Sequence, residues 1–392
     1  MIFSVQTHNA AQGELELLLV GGGLQAGLIA LAVLARRPEA RLAVVEAGPS
    51  LGGNHTWCLH RAHVPESART WVEPLFAHHW NGYEVRFPRL SRTFDVPYAA
   101  ITSARLAAVV GDAIAGADGA SCHLGRRAER TAEHEVELDD GSRLEARVVI
   151  DARGPTLEGI AGNSGFQKFL GLEVEFERPH RVERPILMDA TVPQRDGFRF
   201  FYVLPFSPRR LLVEVTYFSR TADLDRVAAR ADVLEYAARL GPIGQVPREE
   251  TGILSMPWKS VPVDPGRSPL AAGYRGGWFH PGTGYSLPIA LRLACYLGER
   301  APGDVFGPDL TRMYRAQRRQ ARFAERLNGL LFRCFAPEDM RNVFERFYGL
   351  PEALIQRFFA LSTTWADRVR IVGGRPPRGF SVSRLLALSR AG

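Results

Sequence analysis

Residues 15–26 read LELLLVGGGLQA, an apolar run followed directly by three glycines. A nearly continuous run such as Leu15–Val20 is typical of a strand that is buried on both faces of a sheet. Residues 28–37 then show a helical pattern that ends before Pro38, and residues 41–45 form a second apolar run. The stretch therefore predicts a βαβ unit with a glycine-rich turn between its first strand and its helix.

The glycine turn has the composition of a dinucleotide-binding site. Gly21 permits a tight turn, Gly23 lets a pyrophosphate approach the backbone, and Ala26 allows the helix to pack closely on the strand. Glu46 ends the second strand, where a carboxylate can accept hydrogen bonds from ribose hydroxyls. The pattern GxGxxA is weak alone, but its position between a strand and a helix predicts a dinucleotide site. A glycine turn in another α/β fold is the alternative.

Later glycine-rich segments favour FAD over NAD, because a long, extended FAD contacts separate parts of a chain. Gly53 lies in a loop soon after Glu46, and Asp151 and Gly154 lie where a later strand ends. A third glycine turn precedes a predicted helix whose N-terminus can face a flavin ring. Arg275 is a candidate to neutralise cofactor charge, with a surface role as the alternative. The predicted cofactor-binding residues are Gly21, Gly23, Ala26, Glu46, Gly53, Asp151, Gly154, Arg275, Gly284 and Tyr285.

The order of predicted elements divides the chain into three parts. Residues 14–57, 101–160 and 265–305 are assigned to a discontinuous FAD-binding domain. Residues 58–100, which look irregular, and 161–264, which are rich in strand patterns, are assigned to a substrate-binding domain. Residues 306–392 are predicted to be helical. The fold class is α/β (α+β): a Rossmann-like FAD-binding domain of the glutathione-reductase/hydroxylase type, an inserted, mainly antiparallel β substrate domain and a helical C-terminal region.

Composition limits the cellular setting. The 392 residues contain four widely spaced cysteines and no CxxC pair, so neither a disulfide scaffold nor a metal site is expected. The sequence shows no secretory signal and no apolar stretch near the ~20 residues that cross a bilayer. The net charge of +7 is concentrated between residues 312 and 378, which hold 14 arginines, six acids and many aromatic residues. This pattern favours an anionic membrane surface over nucleic acid, with a solvated helical face as the alternative.

Several segments together resemble one enzyme family over nearly the full chain. They are residues 52–57 (GGNHTW), 79–83 (HWNGY), 165–169 (GFQKF), 188–190 (MDA), 211–214 (LLVE), 249–252 (EETG) and 279–288 (FHPGTGYSLP). The combination is similar to the bacterial-type lycopene β-cyclases of carotenoid biosynthesis. Each segment is weak alone, and their order along the chain makes the resemblance specific.

The resemblance implies a flavoenzyme that converts the ψ-ends of lycopene, and of other acyclic or monocyclic carotenoids, into β-ionone rings without net oxidation. It implies reduced FAD, with NAD(P)H or another donor as the reductant. A C40 hydrocarbon partitions into lipid, so a cytoplasmic enzyme attached peripherally to the inner face of the cell membrane is expected.

Three residues are candidates for the acid–base chemistry. Glu214 is the only acid in an apolar strand pattern, where burial would keep it protonated and able to donate. An acid usually follows this glutamate in the family, whereas Val215 stands here; we expect the two positions to face opposite sides of a strand. Glu250 is a candidate base or a turn-binding carboxylate. His280 matches a family position beside the flavin, or else binds a turn backbone.

Two other functions fit parts of the pattern. A redox flavoenzyme of the same fold, such as a hydroxylase or isoprenoid reductase, would consume NAD(P)H or oxygen with each product. Tyr274 weakens the hydroxylase reading, since related hydroxylases commonly have an aspartate there. A carotenoid or flavin carrier would bind its ligand without changing it.

Overall fold

The computed structural model describes residues 14–154 and 162–390. The predicted βαβ unit is present as β1 (Leu15–Val20), α1 (Leu24–Arg36) and β2 (Leu42–Glu46). Side chains of β1 alternate between two apolar cores, with Leu17 and Leu19 in one and Leu18 and Val20 in the other. Burial on both faces explains why this strand has a continuous apolar sequence.

The remaining strands follow in chain order. They are β3 (Thr56–His60), β4 (His78–Trp80), β5 (Tyr83–Phe87), β6 (Leu90–Phe94), β7 (Tyr98–Thr102), β8 (Ala120–Leu124), β9 (Ala128–Thr131), β10 (Glu135–Leu138), β11 (Arg143–Asp151), β12 (Ser164–Phe176), β13 (Ile186–Asp189), β14 (Phe198–Ser207), β15 (Arg210–Ser219), β16 (Ile243–Pro257) and β17 (Leu270–Ala271).

The remaining helices flank these strands. They are α2 (Arg69–Val72), α3 (Ser103–Ala115), α4 (Arg226–Ala238), α5 (Leu287–Gly298), α6 (Pro308–Cys334), α7 (Met340–Tyr348), α8 (Glu352–Phe359), α9 (Trp365–Val372) and α10 (Val382–Arg390). Helices α6 to α10 follow one another at the C-terminal end, as the sequence predicts.

The first sheet has the order β8-β2-β1-β11-β10-β9, with β17 also paired to β11. Strands β8, β2, β1, β11 and β17 are parallel, and β9 and β10 extend the sheet as an antiparallel edge. Helices α1, α3 and α5 pack on one face of the parallel strands. The carboxyl ends of β1 and β11 lie side by side, which brings the glycine turn next to residues 151–154.

The second sheet has the order β16-β12-β15-β14-β13-β5-β6 and is antiparallel except for the β13–β5 pair. Helix α4 covers one face, where Val213 and Val215 are buried. The C-terminal helices cover the other face, where Leu212 and Phe218 are buried. Glu214 therefore lies on the side of the C-terminal helices, because side chains alternate along a strand.

Residues 58–100 were expected to be irregular, and this prediction is wrong. Strands β3 and β4 pair with β7 in a small sheet, while β5 and β6 extend the second sheet. These strands are only three to five residues long, so each shows too little alternation to stand out among the histidines and prolines. The domain boundary predicted at residues 160–161 lies outside the described residues.

Candidate active site

The glycine turn leaves open space in front of helix α1. Gly21 has a φ of +99°, and a Cβ there would lie 3.0 Å from the carbonyl oxygen of Ala152. Gly23 is the N-cap of α1, and a Cβ there would meet no atom within 4 Å. Ala26 lies in the first turn of α1 and is fully buried. The free N–H groups of a helix N-terminus with room before them fit a pyrophosphate.

Glu46 accepts hydrogen bonds from the backbone of this turn and of the loop that follows β2. Its Oε2 accepts a hydrogen bond of 2.6 Å from the N–H of Gly22, and its Oε1 accepts one of 2.6 Å from the N–H of Gly48. Each carboxylate oxygen keeps a further lone pair that a ribose hydroxyl can use. Gly53, with a φ of +59°, also borders open space, since an added Cβ would meet nothing within 4 Å.

Asp151 joins two arginines at the end of β11. It forms ion pairs of 2.7 Å with both Arg153 and Arg275. Burial opposes the ionised form, but the hydrogen bonds and charge of Arg153, with the charge of Arg275, lower the pKa of Asp151 below its ordinary value. Arg275 is therefore bound to Asp151 and remains partly exposed. A Cβ on Gly154 would meet no atom within 4 Å.

A cavity of about 460 Å³ lies between the second sheet and the C-terminal helices, a size typical of a small-molecule site. One side reaches the third glycine turn at residues 282–285 and the start of α5. Its lining is predominantly apolar and aromatic, including Trp57, Tyr98, Phe169, Phe200, Tyr202, Phe218, Tyr285, Phe344, Phe347, Phe358 and Phe359. Aromatic faces attract a cation held in such an enclosure.

Glu214 is the acid that lines this cavity. Its side chain is buried, and its Oε1 accepts a hydrogen bond of 2.6 Å from the hydroxyl of Thr216. Burial, followed by repulsion from Glu250, raises the pKa of Glu214 to about 8. The group therefore carries a proton at neutral pH. Val215 is fully buried against α4 on the opposite face, so an acid there would not reach the cavity.

Glu250 lies near Glu214 across strand β12. Gly171 of β12 pairs with Glu214 on one side and with Glu250 on the other. A Cβ on Gly171 would lie 3.2 Å from the Cγ of Glu250 and 3.3 Å from the Cβ of Glu214. The glycine thus leaves room for two carboxyl groups over one strand. Oε2 of Glu250 accepts hydrogen bonds from Thr56 and Arg248, and its buried Oε1 has no hydrogen-bond partner.

His280 and Tyr285 belong to the third glycine turn. Nδ1 of His280 accepts a hydrogen bond of 3.0 Å from the N–H of Gly282, and burial lowers the pKa of the ring to about 3. The imidazole is therefore neutral, and it packs on Phe358 rather than lining the cavity. Tyr285 and Gly284 do line it, and the phenol oxygen of Tyr285 accepts from the N–H of His60. Gly284 has a φ of +68°.

The predicted residues other than Glu250 and His280, which do not line the cavity, fall into two groups. The glycine turn, Glu46, Asp151 and Arg275 lie around the ends of the parallel strands, whereas Glu214, Gly284 and Tyr285 line the cavity. Sequence reasoning missed two residues beside the acids, Gly171 and Arg248. A glycine inside an otherwise apolar strand is a signal that could have identified Gly171.

A family model described as lycopene cyclase protein matches residues 16–385 of the chain. The chain is also 40% identical over 384 residues to a lycopene beta-cyclase of Pantoea ananas, covering 93% of this chain and 96% of that protein.

Solved structures with the same fold are more distant in sequence. A geranylgeranyl bacteriochlorophyll reductase-like protein of Thermoplasma acidophilum aligns with a TM-score of 0.61 at 14% identity, covering 95% of this chain and 98% of that one. A probable FAD-dependent monooxygenase of Pseudomonas aeruginosa aligns with a TM-score of 0.57 at 17% identity, covering 86% of this chain and 99% of that one. These likenesses confirm the predicted fold class.

Proposed function

The chain belongs to the lycopene cyclase family, and from this premise we propose that it converts the ψ-ends of lycopene into β-ionone rings. The observation that carries the proposal is a buried glutamic acid, Glu214, in a cavity lined mostly by aromatic and aliphatic side chains. Such a site can form a carbocation and keep water from it.

The reaction requires one proton to be given and one to be taken. Protonated Glu214 donates to C2 of the terminal isoprene unit, and the resulting cation at C1 is attacked by the C5–C6 double bond. Loss of the C6 proton to a carboxylate then leaves the β-ring, so the product has the same composition as the substrate. The ionised Glu214 is the acceptor, since it lines the cavity and Glu250 does not.

The cavity also limits side reactions of the cation. Burial raises the pKa of Cys58 to about 12, so its thiol stays protonated and weakly nucleophilic. The phenol oxygens of Tyr98 and Tyr202 lie 3.0 Å apart and bind each other. Aromatic faces around the site stabilise positive charge without forming a bond to it.

We propose FAD as the cofactor, with NAD(P)H supplying the electrons that reduce it. The space before Gly23 fits the pyrophosphate, Glu46 fits a ribose, and Gly53 and Gly154 border open space where an extended ligand can pass. When bound, reduced flavin would supply an electron-rich ring system that can stabilise positive charge. Residues 14–57, 101–160 and 265–305 are proposed as the domain that holds it.

The direct test is expression in a bacterial host that accumulates lycopene. We expect conversion to β-carotene, identified by chromatography and by a mass equal to that of lycopene. Unchanged lycopene, or a product that has gained hydrogen or oxygen, would reject the proposal in favour of a carrier or a redox flavoenzyme.

Cyclisation should depend on pH through Glu214. The active form is protonated, and the pKa of Glu214 is raised to about 8. The rate is therefore expected to be highest below pH ~8 and to fall about tenfold per unit above it. Initial rates at saturating lycopene between pH 6 and 10 measure this descending limb of the pH–rate profile. A rate that rises through the same range would contradict the assignment.

We propose that helices α9 and α10 attach the protein to the membrane surface. Trp365, Val369 and Val372 lie along one face of α9 and are exposed, with Trp365 80% exposed. Exposed Leu385 of α10 and Val372 also line the cavity, so the apolar surface continues into the site. Exposed arginines nearby, Arg370, Arg375, Arg378 and Arg384, complement anionic lipid headgroups. No helix among residues 14–154 and 162–390 is long and apolar enough to cross a bilayer.

Flotation with vesicles containing phosphatidylglycerol measures this attachment. Trp365→Glu combined with Val369→Glu is expected to weaken binding by about tenfold or more, because buried apolar area drives interfacial binding. Val227→Glu with Val261→Glu is the matched control, since these valines are 82% and 88% exposed and lie in α4 and in the loop after β16. Equal losses of vesicle binding in both double variants, or no loss in the Trp365 and Val369 variant, would place the membrane contact elsewhere.

A further inference from the structure

Arg248 contacts Glu250, one member of the buried acid pair, without lining the cavity. Its Nη1 donates a hydrogen bond of 2.6 Å to Oε2 of Glu250, and its Nη2 donates one of 2.9 Å to the hydroxyl of Thr56. That hydroxyl donates in turn to the same carboxylate oxygen at 2.9 Å. Nε of Arg248 donates a hydrogen bond of 3.0 Å to Glu173, and this bond helps to hold the guanidinium in place.

We propose that Arg248 is a positioning residue that holds Glu250 as a carboxylate and thereby fixes the proton on Glu214. The inference rests on the proposed cyclase function, because Glu214 must be the protonated member of the pair to start the reaction.

The sheet forces the two carboxyl groups to compete for a proton. Both lie over Gly171, where an added Cβ would contact each of them, and both are buried. Two adjacent buried carboxyls do not both ionise readily, so the pair retains one proton near neutral pH. Glu250 receives a charged and a neutral hydrogen bond on one oxygen, whereas Glu214 receives one neutral hydrogen bond from Thr216. Charge-assisted hydrogen bonds are the stronger ones, so the charge resides on Glu250.

His55, Cys58 and Tyr202 lie beside the pair and are neutral. Burial lowers the pKa of His55, raises that of Cys58 to about 12, and raises that of Tyr202. Glu173, which lies behind Arg248, is itself paired with Arg210 at 3.2 Å. Arg248 is therefore the charge that makes the two acids unequal.

Removing the positive charge of Arg248 should move the proton from Glu214 to Glu250. In Arg248→Gln, Glu250 loses its cation and takes up a proton, so repulsion of the ionised form of Glu214 disappears. The descending limb of the pH–rate profile is then expected to shift to lower pH by about one unit, with a severalfold loss of rate at pH 8. Arg248→Lys keeps the charge and should retain the wild-type limb.

Two further comparisons separate this effect from a loss of structure. Glu250→Gln removes the negative charge directly and should shift the limb in the same direction, and the double variant with Arg248→Gln should shift it no further. Arg230→Gln is the matched control, since Arg230 pairs with the neighbouring Glu249 at 3.2 Å and should leave the limb unchanged.

Infrared difference spectroscopy follows the proton without turnover. At pH 7 the wild type should show a protonated-carboxyl C=O band that disappears in Glu214→Gln. In Arg248→Gln a new protonated-carboxyl band should appear, and adding Glu250→Gln should remove it. An unshifted limb in Arg248→Gln and Glu250→Gln, with the Glu214 band unchanged, would overturn the role of Arg248. A wild-type protein that shows this Glu214 band but leaves lycopene unchanged would instead reject the proposed function.

Discussion

Glu214→Gln is expected to lower lycopene cyclisation by roughly 100- to 10,000-fold, the range that a positioned general acid contributes. Glutamine has nearly the shape of the protonated acid, so it fills the same space beside Thr216 but cannot give a proton to carbon. The variant should therefore fold normally and retain flavin. Initial rates of β-carotene formation, with flavin absorbance as the measure of cofactor content, test both parts.

Glu175→Gln provides the matched control for this substitution. Glu175 lies on the adjacent strand β12, is partly exposed and pairs with Arg210 at 3.2 Å, outside the cavity. Its loss should leave the rate within about twofold of the wild type, since surface ion pairs contribute little. Cyclisation that persists in Glu214→Gln would remove the acid from the mechanism.

Gly23→Val is expected to lower flavin affinity by about 100-fold or more while the protein without cofactor keeps its stability. The backbone at Gly23 has a φ of −78°, which any residue adopts, and an added Cβ meets no protein atom within 4 Å. The valine side chain would instead occupy the space before the helix N-terminus. Flavin titration by fluorescence, and thermal unfolding of the flavin-free protein, measure the two effects.

Substitution of Gly21 by valine should instead destabilise the flavin-free protein. Gly21 has a φ of +99°, and its Cβ would press on the backbone of residues 152 and 153. Gly21→Val is thus expected to reduce the stability of the flavin-free protein by ~1–3 kcal/mol through backbone strain and contact. If Gly23→Val instead bound flavin as tightly as the wild type, the proposed pyrophosphate site would be wrong.

Features that depend on a few neighbouring residues could be predicted from the sequence. The apolar run of β1, the glycine turn and helix α1 each depend on neighbouring residues, and β1 begins and ends at the expected positions, Leu15 and Val20. Glu214 stood out for the same reason, as one acid within an apolar strand. Local patterns determine which face of a strand is buried, so the opposite orientation of Val215 also followed.

Features that depend on strand register could not be predicted. Glu250, with Arg248 bound to it, lies near Glu214 only because β12 lies between β15 and β16 with Gly171 opposite both glutamates. These residues are far apart in sequence, and a slip of one residue would turn one acid to the other face of the sheet. The partner of Arg275 was missed similarly, because Asp151 comes close only when β17 pairs with β11.

We propose that this flavoprotein fold performs acid–base chemistry without net oxidation. The most direct test is to incubate the purified protein with FAD, a limiting and measured amount of NADPH, and lycopene in vesicles. We expect β-carotene of the same mass as lycopene, with many rings formed for each NADPH consumed. A product of altered mass, or one NADPH consumed for each product formed, would contradict it.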